Sequence, residues 1–258
     1  MALPLFKINE LKIPNLNEVF NLSDNSLWQH LILARRFCLG NRIKLTNGIN
    51  TAGVFEISLI DKKSKKISFK LIKPLDIQKH TPEKIIIQAL IKNPADILAI
   101  DLLTQAGADK IIPWKAEKSI AKWKDSHYKK YLNQIISSSE QSRRLVFPRL
   151  EKAVKIKEII SFLKKQDKSV KIFILHNFDS FMPPQSNDTK RFEIKTEKDY
   201  KIKNASKIIF IVGPEGGLSP NELLLFEKSG GRIISLGENV FRSSFAGAAA
   251  LLKFSNFF

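Results

Sequence analysis

Residues 208–222 read IIFIVGPEGGLSPNE. The run Ile208–Val212 is entirely β-branched or aromatic, which is typical of a buried strand in a parallel sheet. A glycine-rich stretch at 213–217 follows it directly. Ser219 is a favourable N-cap, a proline occupies the next position, and Glu222 completes a capping box with Ser219. The sequence therefore predicts a strand, a loop and a helix in immediate succession, as in α/β sheets.

The glycine loop at 213–217 has two interpretations. Glycine adopts positive φ without strain and lets the backbone approach a ligand closely, and ligands of open α/β sheets bind at the carboxyl ends of strands. The alternative is a tight turn between strand and helix that binds nothing. The loop matches neither GxGxxG nor GxxxxGKS/T, so the sequence does not indicate a dinucleotide or a nucleoside triphosphate.

The chain from residue 74 onward alternates predicted strands with predicted helices. Apolar, β-branched runs predict strands at Ile85–Leu90, Ile111–Pro113, Val170–Leu175, Lys207–Val212 and Arg232–Leu236. Periodicity and capping residues predict helices at Pro94–Leu103, Ser126–Arg143, Leu150–Lys165 and from Ser243 or Ser244 onward. This order favours an α/β fold with a mostly parallel sheet covered on both faces. Asn177–Lys203, with two consecutive prolines and mixed charges, is predicted to be a surface excursion.

The N-terminal residues predict a separate β domain. Short runs that alternate apolar and polar residues, or are rich in β-branched ones, occur at Arg42–Thr46, Gly53–Ile60 and Ile67–Ile72. Asn47-Gly48 between the first two is a strong hairpin signal, and Pro74 ends the third. We expect a small barrel or sandwich at 1–73, followed by the α/β domain at 74–258.

The composition indicates a globular and strongly basic protein. With 43% hydrophobic and 26% charged residues, a chain of 258 residues can bury a core. Its formal net charge of +18 and pI of about 9.9 create a positive field that attracts polyanions, and nucleic acid is the usual partner. The alternative is solvated lysine on an ordinary cytosolic enzyme from an AT-rich genome.

Cysteine and histidine usage indicates neither a disulfide framework nor a metal site. Cys38 is the only cysteine, which fits a reducing cytosol. No metal-ligand spacing is present, and no catalytic pattern connects the histidines, which are His30, His80, His127 and His176. The N-terminus does not resemble a secretory signal, and no apolar run reaches the roughly 18 residues of a membrane helix. We therefore expect a soluble cytoplasmic protein without a metal.

A second loop, LGENVFR at 236–242, follows the next predicted strand. The helix after it is rich in small residues, so another backbone can pack closely on it, within the domain or across a dimer. Arg242 lies beside the helix N-terminus, where the dipole favours anions; it binds an acidic partner or substrate, or is a surface arginine. Arg143 and Arg144 end a predicted helix, where they bind phosphate or complement the helix dipole.

Together these segments resemble the RsmE family of 16S ribosomal RNA methyltransferases, part of the trefoil-knotted SPOUT superfamily. The resemblance covers nearly the whole chain. It is carried by Gln29-His30, Arg35-Arg36 and Gly40, LTQAGADKIIPW at 103–114, EQSRR at 140–144, GPEGGLSPNE at 213–222 and LGENVFR at 236–242. GPEGG followed by LGxxxxR at this distance is the most specific of these motifs.

The resemblance implies a PUA-like N-terminal β domain that helps to bind RNA. It implies a C-terminal domain whose final helix threads a loop to form a knot, which is a rare topology. It also implies S-adenosylmethionine as the cofactor and a homodimer with the cofactor pocket near the dimer interface. The implied reaction is methylation of N3 of a uridine in the decoding region of 16S RNA, in the small ribosomal subunit.

The resemblance further implies roles for individual residues. Arg242 matches the family's arginine beside the reaction centre, where it would stabilise charge on the uracil oxygens. Arg35, Arg36, Arg143 and Arg144 are candidates for RNA binding. The cofactor would be bound by residues after three strands: Leu175, His176, Gly213, Glu215, Gly216, Leu236, Gly237, Asn239, Val240 and Phe241.

Three positions depart from the family pattern. Phe245 stands where a hydroxyl residue is usual, Asn177 where Glu is common, and Gln105 where Glu is frequent. Phe245 leaves the shape of the pocket or the dimer contact open. It supports the alternative of a non-catalytic RNA-binding or ribosome-assembly factor that retains the fold. A weaker alternative is a methyltransferase of the same superfamily that acts on transfer RNA or on a ribose hydroxyl.

Overall fold

The computed structural model describes residues 3–16, 18–78, 81–176, 202–237 and 239–255. These residues form two compact units. One unit comprises residues 1–79 together with 136–147, and the other comprises residues 80–135 together with 148–258. None of the described helices is both long enough and apolar enough to cross a membrane. The predicted excursion at Asn177–Lys203 lies almost entirely outside the described residues, as does Asn177 itself.

The first unit is a five-stranded, barrel-like sheet in the order β1-β3-β4-β5-β2. Its strands are β1 (Leu5–Lys7), β2 (Val19–Leu22), β3 (Arg42–Thr46), β4 (Ala52–Asp61) and β5 (Lys66–Pro74). All pairs are antiparallel except β1 with β3. The inward side chains of β3, β4 and β5, among them Ile43, Phe55 and Phe69, form a fully buried core. This confirms the predicted small β domain.

Sequence reasoning missed a helical segment in this unit. A short helix, α1 (Asn25–Trp28), continues into a π-helical turn at Gln29–Ala34. It buries Leu27, Trp28 and Leu31 against the sheet. Three apolar positions over two turns are too few to establish a helical period from sequence, so packing on the sheet decides the conformation.

The hairpin at Asn47-Gly48 forms, but its loop is longer than a two-residue turn. The side-chain oxygen of Asn47 accepts hydrogen bonds from the backbone N–H groups of Ile49, Asn50 and Thr51, at 2.8–3.0 Å. Gly48 has a φ of +77°, and a Cβ there would lie 3.1 Å from the ring of Phe147. The glycine is therefore required both by conformation and by close packing.

Residues 136–147 pack with the N-terminal strands. The backbone N–H of Lys7 donates to the carboxylate of Glu140 at 2.9 Å, and the Thr46 hydroxyl donates to the carbonyl of Leu145 at 2.7 Å. These are contacts between residues about a hundred positions apart, which local sequence patterns do not reveal. The division of the chain after residue 73 stays a prediction.

The second unit contains a parallel sheet in the order β12-β10-β11-β6-β7-β8, with β9 beside β7. Its strands are β6 (Glu83–Ala89), β7 (Lys110–Lys115), β8 (Arg149–Leu150), β9 (Val154–Lys155), β10 (Val170–Leu175), β11 (Lys207–Val212) and β12 (Arg232–Ile234). Its helices are α2 (Ala95–Gln105), α3 (Asp125–Ser142), α4 (Ile156–Lys164), α5 (Pro220–Lys228) and α6 (Ser243–Ser255). The last turns of α3 belong to the first unit. The predicted fold class, an α/β domain after a small β domain, is confirmed.

One predicted helix was wrong in its first half. Residues from Leu150 were assigned to the helix that ends near Lys165, but the helix begins only at Ile156. The preceding segment pairs instead with β7, since Glu151 N–H donates to the carbonyl of Ile111 at 3.0 Å. Without this segment the outer side of β7 would be an unpaired edge, and a partner so distant in sequence leaves no local pattern.

Both faces of the parallel sheet are covered, as the apolar strands predicted. On β10 and β11, Ile172, Ile174 and Ile209 point into a core shared with α4 and α5. The alternate residues Phe173 and Phe210 point the other way and pack with Phe254 of α6, at centroid distances of 5.0 and 5.1 Å. This alternation is the period of two that a strand imposes.

Helix α6 lies closely against α2 through its small residues. A Cβ at Gly247 would approach Leu103 Cδ2 to 2.8 Å, so only glycine fits at this contact. Of the two predicted uses of the small-residue helix, packing within the domain is therefore observed. The threading of this helix through a loop, which the resemblance implies, stays a prediction.

The predicted capping box at the start of α5 is confirmed. The Ser219 hydroxyl accepts the N–H of Glu222 at 3.1 Å, and the Glu222 carboxylate accepts the N–H of Ser219 at 2.8 Å. The other carboxylate oxygen accepts the N–H of Glu117 at 2.7 Å. Glu222 is only 1% exposed, so this carboxylate fixes both the helix start and the segment after β7.

We predict that Glu222→Gln lowers the free energy of unfolding by about 1–3 kcal/mol. The glutamine NH₂ would face one of the two backbone N–H donors, and a buried donor would lose its acceptor. Urea denaturation measures the change. The control is Lys228→Gln, an exposed position on the same helix. Equal stability of the two variants would contradict the role assigned to the Glu222 carboxylate.

Candidate functional site

A pocket of about 920 Å³ lies at the carboxyl edge of the parallel sheet. Its walls come from the segments that follow β6, β10, β11 and β12, four strands that are adjacent in the sheet. Parallel strands end at the same edge, so loops far apart in sequence meet there. The pocket is thus built by the topology that the strand-loop-helix pattern predicted.

The structure brings most of the predicted site residues together. Eight of them line the pocket: Leu175, His176, Gly213, Glu215, Leu236, Val240, Phe241 and Arg242. Gly216, Gly237 and Asn239 do not line it. A Cβ on Gly216 would meet the side chain of Lys118 at 3.3 Å, outside the wall, so the glycine serves this neighbouring contact. The roles assigned to these eleven residues stay predictions.

Sequence reasoning missed one whole wall of the pocket. Ile91, Pro94, Ala95 and Leu98, from the segment after β6 and the start of α2, form it. Their position depends on β6 lying beside β11, and the order of strands in a sheet is not a local property of sequence. Once that order is known, the carboxyl end of β6 is the place to look.

The pocket is mainly apolar, with an acidic and a basic side chain on its wall. Glu215 accepts the backbone N–H of Lys92 at 3.2 Å, which holds its carboxylate on the side of the β6 segment. Arg242 is exposed and immediately precedes α6. An apolar cavity with a few placed polar groups is the usual form of a small-molecule site.

A chain of buried hydrogen bonds joins the elements around the pocket. Gln88 of β6, only 5% exposed, donates through Nε2 to the carbonyl of Ser243 at 3.4 Å and lies 3.2 Å from its hydroxyl. The Ser243 hydroxyl in turn donates to the carbonyl of Gly213. The first glycine of one loop and the residue after Arg242 in the other are therefore bound to the same central strand.

His176 lies on the pocket wall and is about half-buried. Burial lowers the pKa of His176, and the positive charge of Lys118 lowers it further. The ordinary pKa of histidine is about 6.5. Because the pKa of His176 lies below that value, the imidazole is mainly neutral at pH 7. A neutral ring at this position leaves the pocket without an additional positive charge.

The four predicted RNA-binding arginines all belong to the first unit. Arg35, Arg36 and Arg143 are exposed, whereas Arg144 is half-buried and donates to the carbonyl of Val146 at 2.7 Å. Arg36 and Arg143 have φ values of +54° and +58°. Residues other than glycine rarely adopt this left-handed backbone conformation, which is enriched at functional sites.

Glu140 lies beneath the basic residues of the first unit. Burial raises the pKa of Glu140, while the N–H of Lys7 and the charges of His30, Arg35 and Lys7 lower it. His30 also contacts Phe6 edge to face. The motif residues His30, Arg35 and Glu140, which are separate in sequence, thus lie close together.

Among the residues that the structure describes, no group of three His, Cys, Asp or Glu side chains is arranged to hold a metal ion. The absence of a metal stays an expectation.

The fold and pocket define an α/β protein of the class that binds a ligand in loops at the carboxyl edge of a parallel sheet. The family model described as "RNA methyltransferase domain" matches residues 79–255. The chain belongs to this family, and the match includes every segment that lines the pocket.

Relatives bear out the resemblance drawn from the motifs. Ribosomal RNA small subunit methyltransferase E of Mycobacterium bovis is 29% identical over 177 residues, which cover 66% of this chain but only 62% of that protein. The protein of the same name from Rickettsia conorii is 29% identical over 222 residues, which cover 84% of this chain and 82% of the relative.

Solved structures show the same fold. Ribosomal RNA small subunit methyltransferase E of Neisseria gonorrhoeae, bound to S-adenosyl methionine, superposes with a TM-score of 0.81 at 18% identity, covering 100% of this chain and 98% of its own. A putative methyltransferase of Legionella pneumophila, in complex with the same cofactor, gives a TM-score of 0.77 at 24% identity, with 99% and 98% coverage.

We predict that Gln88→Leu loosens the pocket. Loss of the buried amide removes its contacts with the Ser243 carbonyl and hydroxyl, which costs about 0.5–1.5 kcal/mol of unfolding free energy. Hydrogen exchange should accelerate at residues 213–217 and 239–243. Gln105→Leu, which removes an exposed glutamine bonded to Asp101, is the matched control. If exchange at the two loops is the same in both variants, the hydrogen-bond chain does not hold them.

We also predict a pH effect from His176. Its folded pKa lies below the unfolded value, so the unfolded chain binds the proton more tightly. The free energy of unfolding must then fall as pH drops below about 6.5, and the fall ends once the folded pKa has been passed. His176→Gln should lose less stability than the unmodified protein on acidification. An NMR titration that gives His176 an ordinary or raised pKa would contradict this prediction.

Proposed function

We propose that this protein transfers a methyl group from S-adenosylmethionine to N3 of a uridine in 16S ribosomal RNA. The observation that carries the proposal is the pocket enclosed by the glycine loop and the LGENVFR loop, in a chain of the RNA methyltransferase domain family. The names of the curated relatives and the cofactor bound in the two structural relatives support it.

The residues of the pocket fit S-adenosylmethionine. Leu218, Leu236, Phe241 and Ala246 offer apolar surface for an adenosine ring, and backbone groups of both loops lie on the wall. The cofactor carries a positively charged sulfonium, which favours a pocket that holds a carboxylate, Glu215, and a neutral imidazole. When bound, it would supply an electrophilic methyl group.

Arg242 is proposed as the catalytic residue. Uracil N3 bears a proton, and as that proton is lost negative charge develops on the ring oxygens. The guanidinium of Arg242, which lines the pocket, would stabilise this charge as a cationic donor stabilises an oxyanion. Arg242 directly precedes Ser243, so the hydrogen-bond chain through Gln88 also holds the backbone of Arg242 in position.

The proton itself is proposed to pass to solvent. Among the described residues on the pocket wall, the titratable side chains are His176, Glu215 and Arg242. The carboxylate of Glu215 is directed to the Lys92 backbone, and the lowered pKa of His176 makes its imidazole a weak proton acceptor. The target uridine must be unpaired for N3 to react, so the base is presented from a non-canonical region or flipped out of its stack.

The first unit is proposed to bind the RNA. The net charge of +18 favours a polyanionic partner, and the exposed arginines Arg35, Arg36 and Arg143, with Arg144, supply guanidinium groups suited to phosphate.

We also propose a homodimer in the cytoplasm, assembled near the pocket. Val240 is 79% exposed beside the exposed rings of Phe241 and Phe245, and exposed apolar surface of this kind favours association.

The alternative of a non-catalytic factor depends on Phe245. The Phe245 ring packs edge to face on Phe241 at 5.4 Å and is 38% exposed, and it does not line the pocket. It therefore leaves the pocket open, which favours the enzyme. Gln105, the third departure, ends α2, whereas the pocket uses the opposite end of that helix. Calorimetry separates the two functions, since an assembly factor without cofactor chemistry would not bind S-adenosylmethionine.

We predict that Arg242→Ala lowers the turnover number by about 100-fold or more, because loss of one preorganised donor typically costs this much. The dissociation constant of S-adenosylmethionine should change little, since the guanidinium acts on the RNA base. Arg232→Ala is the matched control, because Arg232 is an exposed arginine that does not line the pocket. Methyl transfer to 16S RNA is measured by mass spectrometry of its nucleosides. Full activity of Arg242→Ala would remove the arginine from the mechanism.

A further inference from the structure

A basic segment follows β7 beside the pocket. Residues 115–124 read KAEKSIAKWK and carry four lysines and one glutamate, a net charge of +3. Lys118 is the member of this segment that contacts the glycine loop. Three observations define the position of Lys118: the hydrogen bonds of the backbone around it, its contact with Gly216, and the effect of its charge on His176.

The backbone around Lys118 is held by hydrogen bonds on both sides. Glu117 N–H donates to the buried Glu222 carboxylate at 2.7 Å, and the Asn221 side chain reaches the Glu117 carboxylate at 3.4 Å. Ser119 N–H donates to the carbonyl of Ala116 at 3.1 Å, which closes the turn. Lys118 therefore starts from a rigid turn attached to the N-terminus of α5.

The aliphatic stem of Lys118 lies across Gly216. A Cβ on Gly216 would lie 3.3 Å from Lys118 Cβ and 3.5 Å from its Cδ. Gly217 needs its glycine for a φ of +70°, whereas Gly216 has no left-handed φ. Because residue 216 has no side chain, the stem of Lys118 can lie in this space. The second-last glycine of GPEGG is thus explained by a lysine from another element.

Lys118 lies outside the pocket, but its stem contacts Gly216, whose two neighbours in the chain, Glu215 and Gly217, line the pocket. Lys118 is exposed and is not part of the pocket wall. Its charge nevertheless reaches His176, which is on that wall. Within the described part of the chain, no ion pair neutralises it. An exposed cation therefore lies next to the residues that line the pocket.

We propose that Lys118 binds a backbone phosphate of the RNA strand whose base enters the pocket. This rests on the proposed function. A base inside the pocket leaves its flanking phosphates at the mouth, where a fixed ammonium can neutralise one of them. The cofactor carboxylate is the other anion in the system, but Lys118 does not line the cavity in which the cofactor would lie. In this proposal Arg242 stabilises charge on the base, and Lys118 binds a phosphate of the RNA backbone.

The test measures RNA affinity of the full-length protein as a function of salt, using a 16S RNA fragment and inorganic salt alone. Each phosphate contact contributes about 0.7–0.9 to the slope of log K against log salt. Lys118→Ala should reduce the slope by about this amount and raise the RNA KM, with the cofactor dissociation constant unchanged. Lys118→Arg should restore the slope. Lys228→Ala, at the far end of α5, should match the unmodified protein.

A second measurement checks the geometry in the same variants. The NMR-detected pKa of His176 should rise in Lys118→Ala and stay constant in Lys228→Ala, because the positive charge of Lys118 lowers that pKa. An unchanged salt slope in Lys118→Ala overturns the proposal. So does weaker cofactor binding with an unchanged slope, which would assign the lysine to the cofactor. Failure of methyl transfer in the unmodified protein would instead refute the proposed function, since the slope is measured without turnover.

Discussion

The parallel pairing of β6, β11, β10 and β12 is the constraint on which the rest of the site depends. Four strands that point the same way end at one edge, so the loops after them must share the same space. Hydrogen bonds from Gln88 through Ser243 to Gly213 then fix the distance between the two main loops. Such bonds are strong because they are buried, and for the same reason they are costly to leave incomplete.

Helix α5 links the glycine loop to the basic segment after β7. Its capping carboxylate, Glu222, accepts one N–H from its own helix start and one from Glu117. The loop before the helix and the basic segment after β7 are thereby attached to the same point. Gly216 allows the Lys118 stem to lie on the loop. A local helix signal in the sequence therefore has consequences for the entrance to the pocket as well as for the helix.

Local signals were sufficient for much of the fold and not for the whole site. The strand Ile208–Val212 and the capping box at Ser219 depend on neighbouring residues, and both were predicted. The pairing of residues 149–155 with β7 and the wall formed by Pro94 and Leu98 depend on distant partners, and both were missed. Gly216 was assigned to the cofactor because its position matches the family's glycine loop, and that role stays a prediction; its contact with Lys118 is one that no motif indicates.

The claim at the centre of this account is that the two loops enclose the adenosyl group of S-adenosylmethionine. A crystal structure of the protein grown with saturating S-adenosylmethionine tests it most directly. The account predicts cofactor density between residues 213–218 and 236–242, with the ring against both backbones. Density at another place on the chain, or an empty pocket at saturating cofactor, would contradict it.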